Sequence, residues 1–233
     1  MSDAAILELR LYSFGEAARL LEIQQWKLRR WMEGAVVRGV TYPPVIRPAP
    51  TGSNEVTWAE FVEAGFLREY RVHGVTLQHI RPFIDLMRKS QGVKYPLAQL
   101  RPSVDPTGNE LMVELKQLQD KVGLEDDLAL VRMKSGQLVW AEPMRAFLEK
   151  VEFDPDGLTR RMHPLGRWDP VVIDPEVAFG IPQIRGIRTE TVAEAFAAGE
   201  SLLQISKSFD LREDEVTAAV RWELRIRPRT QAA

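Results

Sequence analysis

The sequence predicts an α+β fold, mainly helical with minor strand, and three observations carry that reading. Apolar residues recur at helical spacing near both ends, as Phe14, Ala17, Ala18 and Leu21 and as Val192, Ala195 and Phe196. Serine or threonine followed three residues later by glutamate or glutamine stands before several of these runs, the signature of a helix start. Short apolar stretches punctuated by glycine and proline, at 36–47 and 171–175, supply the strands. The 233 residues, 45% of them hydrophobic, can bury real cores and argue against wholesale disorder. They divide into a helical unit with a small hairpin at 1–92, a mixed α/β connector at 93–167, and a three-helix unit with a basic tail at 168–233.

Composition excludes several function classes. Zero cysteines rule out disulfides, thiolate nucleophiles and cysteine-ligated metals. No apolar run approaches bilayer length and the start lacks a signal-peptide layout, so a cytoplasmic protein without a membrane partner is expected. The net charge of -2 hides an uneven distribution. Arg19, Lys27, Arg29, Arg30, Arg38 and Arg47 are opposed over their span only by Glu22 and Glu33. The middle is acidic, with Asp105, Glu110, Glu114, Asp120, Glu125, Asp126 and Asp127, and the end is basic again at Arg225, Arg227 and Arg229. What matters for a polyanionic partner is where bases cluster, not their sum.

The first helix opens at the Ser13–Glu16 capping box and buries Phe14, Ala17, Ala18 and Leu21. After a break at Glu22-Ile23, a second runs from about Gln24 to Glu33, with Leu28, Trp31 and Met32 inward and Gln24, Gln25, Lys27, Arg29 and Arg30 as long polar donors. This is the layout of a helix-turn-helix, in which the first helix braces a second that reads base edges and phosphates. Glutamine suits adenine, arginine suits guanine, and lysine neutralises phosphate. Gly34 can end the second helix. Two short strands around Pro43-Pro44 then form a wing carrying Arg38 and Arg47. A second capping box, Thr57–Glu60, opens a helix burying Phe61, Val62 and Leu67. Thr76 opens another with Ile80, Phe83, Ile84 and Met87 inward and Pro82 as an expected kink.

The run Glu16-Ala17-Ala18-Arg19-Leu20-Leu21, with Leu28-Arg29-Arg30-Trp31, resembles the start of a MerR-like winged helix-turn-helix domain. Residues 56–58 and 74–80 resemble that family's second helical pair, so the resemblance covers about 10–90. It implies DNA contact or its support at the positions of Arg29 and Trp31. With Ser13, Gln24, Gln25, Lys27, Arg30, Arg38 and Arg47 these make the expected double-stranded-DNA surface. No long heptad helix of the kind that dimerises typical MerR regulators follows.

In the connector, 110–115 and 136–140 read as strands and 144–151 as a short helix. Asp154-Pro155-Asp156-Gly157 reads as a turn rather than a metal site. His73, His79 and His163 lack any spacing such as His-Glu-x-x-His, so no catalytic residue, metal or cofactor is expected.

Near the end, 171–175 reads as a strand and 179–189 as a loop presenting Arg185 and Arg188. Helices are expected at 190–198, at 201–209 opened by Ser201 and Gln204, and at 213–224 opened by Asp210 and Glu213. Val192, Ala195, Phe196, Leu202, Ile205, Phe209, Val216, Ala219 and Val220 would share one core. Asp174-Pro175, Gly180-Ile181-Pro182 and Ile184-Arg185-Gly186-Ile187-Arg188 closely resemble a helical domain catalogued only as of unknown function, which recurs in bacterial toxin–antitoxin operons. The resemblance covers about 168–224. Together the two resemblances imply a VapB-type antitoxin: a repressor of its own promoter, neutralising a PIN-domain ribonuclease toxin, and a homodimer or higher hetero-oligomer. PIN nucleases hold magnesium with carboxylates, so Arg185, Arg188 and the tail Arg225, Arg227 and Arg229 are the expected partner-binding residues. Local pairing of Arg185 and Arg188 with carboxylates or carbonyls is the competing reading. The alternative function is a free-standing, ligand-responsive MerR-like regulator.

Overall fold

Sequence-local rules explain how the chain enters its fold. Residues 3–99, 130–132, 138–140 and 142–227 are described by the computed structural model, which is α+β, with eight α-helices and five two-stranded antiparallel ribbons among them. A 3-10 turn, Asp3–Glu8, leads into strand β1 (Arg10–Ser13) and helix α1 (Phe14–Leu20). The Ser13 hydroxyl accepts the Glu16 amide at 3.2 Å and the Glu16 carboxylate accepts the Ser13 amide at 2.8 Å, satisfying donors the helix leaves open. The Ser13 backbone amide, and after it the Ser13 hydroxyl, hold the Glu16 carboxyl below the usual carboxylate range.

Glu22 turns the chain with a left-handed φ of 52°, and α2 (Gln25–Glu33) buries Leu28, Trp31 and Met32. Gly34 follows at φ 75°, where a side chain would run into the backbone of Tyr42 and Pro43. Strands β2 (Ala35–Val37) and β3 (Val40–Tyr42) form a hairpin pairing Val37 with Val40. Its turn is Arg38-Gly39, at φ 50° and 78°, rather than the expected Pro43-Pro44. A two-residue turn with positive φ at both central residues, as here, is closed to proline, whose φ is locked negative. Residues 45–47 are accordingly not a wing strand. The Val45 and Ile46 amides bond the Trp31 carbonyl at 2.8 and 3.0 Å.

Strand β4 (Glu55–Thr57) pairs with β1, and its Thr57 caps α3 (Trp58–Val72) through the expected box with Glu60. Helix α3 is buried on almost every side. The Tyr12 ring packs 4.7 Å from Phe61, and Phe147 of α5 (Glu142–Leu148) meets Phe66 edge-on at 5.3 Å. Helix α4 (Leu77–Gln91) is continuous across Pro82. Its Arg81 and Arg88 donate to the carbonyls of Pro43, Pro44, Val45 and Ile46, fixing the strap below the hairpin.

Strands β5 (Leu130–Arg132) and β6 (Leu138–Trp140) pair, whereas the strand expected at 110–115 lies outside the described residues. Strands β7 (Val151–Phe153) and β8 (Thr159–Met162) form a hairpin against α3, where the Trp58 indole donates to the Thr159 carbonyl at 2.7 Å. The Asp154 carboxylate accepts the Asp156 and Leu158 amides, which makes this segment a turn. The expected strand at 171–175 takes the form of single bridges, Ile173 to Met162 and Val172 to Gln183.

Short strands β9 (Gln183–Ile184) and β10 (Ile187–Arg188) lead into α6 (Thr189–Ala197), α7 (Leu202–Phe209) and α8 (Glu213–Ile226). Ser201 and Gln204 cap α7 as expected. Asp210 does not open α8. It ends α7 in the left-handed region, and Glu215 bonds the Arg212 amide at the start of α8. Aspartate tolerates both positions, so its type alone does not distinguish them. Phe196, expected in the core, is 44% exposed because α7 and α8 cover only the Val192–Ala193 side of α6.

The two ends of the chain meet at the Tyr12 hydroxyl, which donates to the Gly180 carbonyl at 2.7 Å in a buried contact. Burial raises the Tyr12 phenol above its usual range, keeping it a donor. Ala178, Phe179 and Gly180 run at φ 51°, 57° and 72°, and a Cβ on Gly180 would strike that hydroxyl. Gly180→Ala is therefore expected to cost about 2 kcal/mol, from left-handed strain plus loss of the bond. A urea midpoint equal to that of the wild type would refute this docking.

Candidate nucleic-acid interface

Helix α2 owes its exposed donors to its own periodicity. Leu28, Trp31 and Met32 point to the core, which turns Gln24, Gln25, Lys27 and Arg29 outward and leaves Arg30 half-buried. Gln24, the N-cap residue, makes no side-chain capping bond. Aromatic rings support the cations: the Arg29 guanidinium lies 4.8 Å over Phe14, Arg30 5.3 Å over Tyr42 of β3, and Lys27 5.6 Å over Trp26. Arg29 also donates to Asn54 at 3.1 Å. Arg38 sits at the hairpin tip, exposed and in no ion pair among the described residues. Ser13 is exposed, with its hydroxyl oxygen engaged as the α1 cap.

Arg47 is the correction in this set. Its side chain is 2% exposed and enclosed by carboxylates. It donates to both Glu60 oxygens at 2.7 and 3.0 Å, to Thr51 at 2.7 Å, to the Glu55 carbonyl at 2.8 Å, and to Glu33. Burial opposes its charge, but Glu60 and Glu33 outweigh that and hold its pKa above the usual value. Burial likewise opposes the Glu33 carboxylate, but the Gly52 amide, Thr51 and Arg47 keep its pKa low. Arg47 cannot reach a phosphate from this position. Glu33, which the sequence sets against the basic run, is committed to Arg47 instead.

Trp26 is a surface feature the sequence reading passed over. It is 59% exposed and borders an open depression with Lys27, Arg30, Arg71 and Thr76. The signal was present, since Trp26 precedes Leu28 by two positions and so faces the opposite side of the helix.

The expected partner-binding arginines separate. Arg185, at φ 52°, donates to the Asp210 carbonyl at 2.8 Å and lies 3.8 Å from the Asp210 carboxylate, a local role. Arg188, just before α6, is exposed and has no carboxylate partner among the described residues. Arg225 lies within α8 rather than beyond it, and its guanidinium meets Glu22 at 2.8 Å. Arg227 is exposed at the helix end, and Arg229 lies outside the described residues. No group of three or more potential metal ligands occurs among the described residues, and no helix among them is long and apolar enough to cross a membrane.

An α+β chain with a two-helix-and-hairpin unit at its start thus presents a donor-rich helix. Residues 171–222 match the family described as "Protein of unknown function (DUF433)". A Mycobacterium tuberculosis protein named "Putative antitoxin VapB45" is 29% identical, across 92% of this chain and 95% of that protein. Another from the same organism, "Uncharacterized protein Rv2308", is 27% identical across 97% of this chain and 95% of its own. The fold is similar to the X-ray crystal structure of Rv2018 from Mycobacterium tuberculosis, with a TM-score of 0.69 and 26% identity over 92% of this chain and 99% of that one.

Proposed function

We propose that this chain is the antitoxin of a toxin–antitoxin pair, binding the duplex DNA of its own promoter at one end and a ribonuclease at the other. In this reading residues 1–92 are a winged helix-turn-helix, with α2 as the recognition helix and the β2–β3 hairpin as the wing. Residues 93–167 connect, and 168–233 bind a PIN-domain toxin, with Arg188, which has no carboxylate partner among the described residues, as a contact. One observation carries the DNA half: Gln24, Gln25, Lys27 and Arg29 stand exposed on one helix beside a hairpin with Arg38 at its tip. The antitoxin half is supported by similarity, over nearly the whole chain, to a protein named as an antitoxin. One small reader contacts few bases, so useful affinity calls for a dimer or higher assembly.

The Arg29→Ala/Arg30→Ala double variant is expected to weaken binding to a duplex taken from immediately upstream of the gene. It should also lower the slope of log affinity against log salt by about 2, roughly one per lost phosphate contact. Unchanged affinity and slope would remove α2 from the interface. Co-expression with the neighbouring gene's product, followed by co-purification and a ribonuclease assay, tests the other half. A nuclease left active in the presence of excess protein would end the antitoxin reading.

A further inference from the structure

The fold returns the end of α8 to the DNA-reading helices. Arg225 is fixed to Glu22, the turn residue between α1 and α2, at 2.8 Å. Arg19 of α1 reaches back to Glu223 of α8 at 3.9 Å. Between them opens a cleft lined by Arg19, Glu22, Gln25, Arg225 and Arg227, together with small residues of α1. Of the three arginines lining it, Arg19 is paired with Glu223, and Arg225 with Glu22, which Arg68 shares. Arg227 is exposed and has no carboxylate partner among the described residues.

We infer that the C-terminal end of α8 is part of the DNA-contacting surface, with Arg227 binding a backbone phosphate beside the segment read by α2. The inference rests on the reading of α2 as the recognition helix. Its physical basis is adjacency and charge. Gln25 lies in the first turn of α2 and lines the same cleft as Arg227, so DNA engaged by α2 carries its phosphates past Arg227. Duplex DNA holds about one negative charge per 1.7 Å of axis. A guanidinium in the same cleft as Gln25, with no carboxylate partner among the described residues, gains a phosphate partner without giving up one of those. Arg225 plays a different part, since its charge is committed to Glu22 and positions α8.

The test compares the full-length wild type with Arg227→Gln, with Lys207→Gln on the exposed face of α7, and with Arg29→Ala/Arg30→Ala. Each is titrated with the upstream duplex and with a random-sequence duplex of equal length across a potassium chloride series. Arg227→Gln should lower the salt slope by about 1 on both duplexes and weaken binding about three- to tenfold, with an unchanged melting temperature. Lys207→Gln should leave the slope as it is. An unchanged slope for Arg227→Gln, tighter binding, or an equal drop in both glutamine variants would overturn the inference. So would a variant that keeps its DNA slope but loses the neighbouring nuclease, which would assign Arg227 to an acidic protein partner. A wild type that binds neither duplex, or an α2 variant that binds normally, instead defeats the underlying reading.

Discussion

Arg47→Met is expected to lower the unfolding free energy by about 3–5 kcal/mol, the range for breaking a buried ion pair from one side. The guanidinium joins Glu33 at the end of α2, Glu60 in the first turn of α3, and the 51–55 loop between them. Removing it leaves the Glu60 side chain, 5% exposed, beside the Glu33 carboxylate with no cation between. Glu60 would keep the Tyr95 hydroxyl at 2.9 Å and the Thr57 amide at 3.0 Å, which satisfies some lone pairs but not the charge. Arg47→Lys should recover little, because an ammonium cannot fork across both Glu60 oxygens while also reaching the Glu55 carbonyl. Arg47→Met/Glu60→Gln should recover more than either single change predicts, since it removes the stranded charge. Denaturant midpoints measure all three. On the proposed reading of α2, Arg47→Met below its unfolding transition should bind DNA with the wild-type salt slope. A slope lower by about 1 with unchanged stability would return Arg47 to the DNA surface.

That arginine shows where sequence reading stopped. The capping boxes at Ser13, Thr57 and Ser201 were legible because each is a contact between residues three apart, set by helix geometry alone. The outward donors of α2 followed from a 3.6-residue period. Arg47 was misread because its partners lie 14 positions before it and 13 after it, and no local pattern encodes such a pairing. Arg225 failed for the same reason: its Glu22 partner sits at the opposite end of the chain. The hairpin turn was misplaced because the double proline outweighed Arg38-Gly39, where a non-glycine residue takes a left-handed conformation. Phe196 failed differently. Periodicity gives the direction a side chain points but not how wide a stripe the neighbours cover. The exposed donors were therefore largely readable, whereas how the C-terminal helix docks beside them was not.

Glu63 supplies the second large effect, and its sign is unusual for a carboxylate. It lies on the face of α3 that packs against residues 95–98 and is fully buried. One oxygen accepts the Leu97 amide at 2.8 Å, and the other has no hydrogen-bond partner among the described residues. Burial pushes its pKa up to about 7, against the pull of the Leu97 amide and the charge of Arg88. In the unfolded chain the same group titrates near 4.3. Between those values the folded protein holds the proton more tightly than the unfolded one, so stability falls as pH rises through the window and levels off above about 7. A shift of this size corresponds to about 3–4 kcal/mol at pH 8. Glu63→Gln keeps an oxygen for the Leu97 amide and carries no charge at any pH. It should match the wild type near pH 5 and exceed it by about 2–3 kcal/mol at pH 8. Glu16 and Glu33, whose pKa values are lowered, produce the opposite slope in acid as they are protonated. Both proteins share that slope, so it cancels in the difference. The decisive measurement is the gap between the two unfolding free energies at pH 5, 6, 7 and 8. A gap that stays constant across the series would mean that Glu63 is already ionised in the folded core.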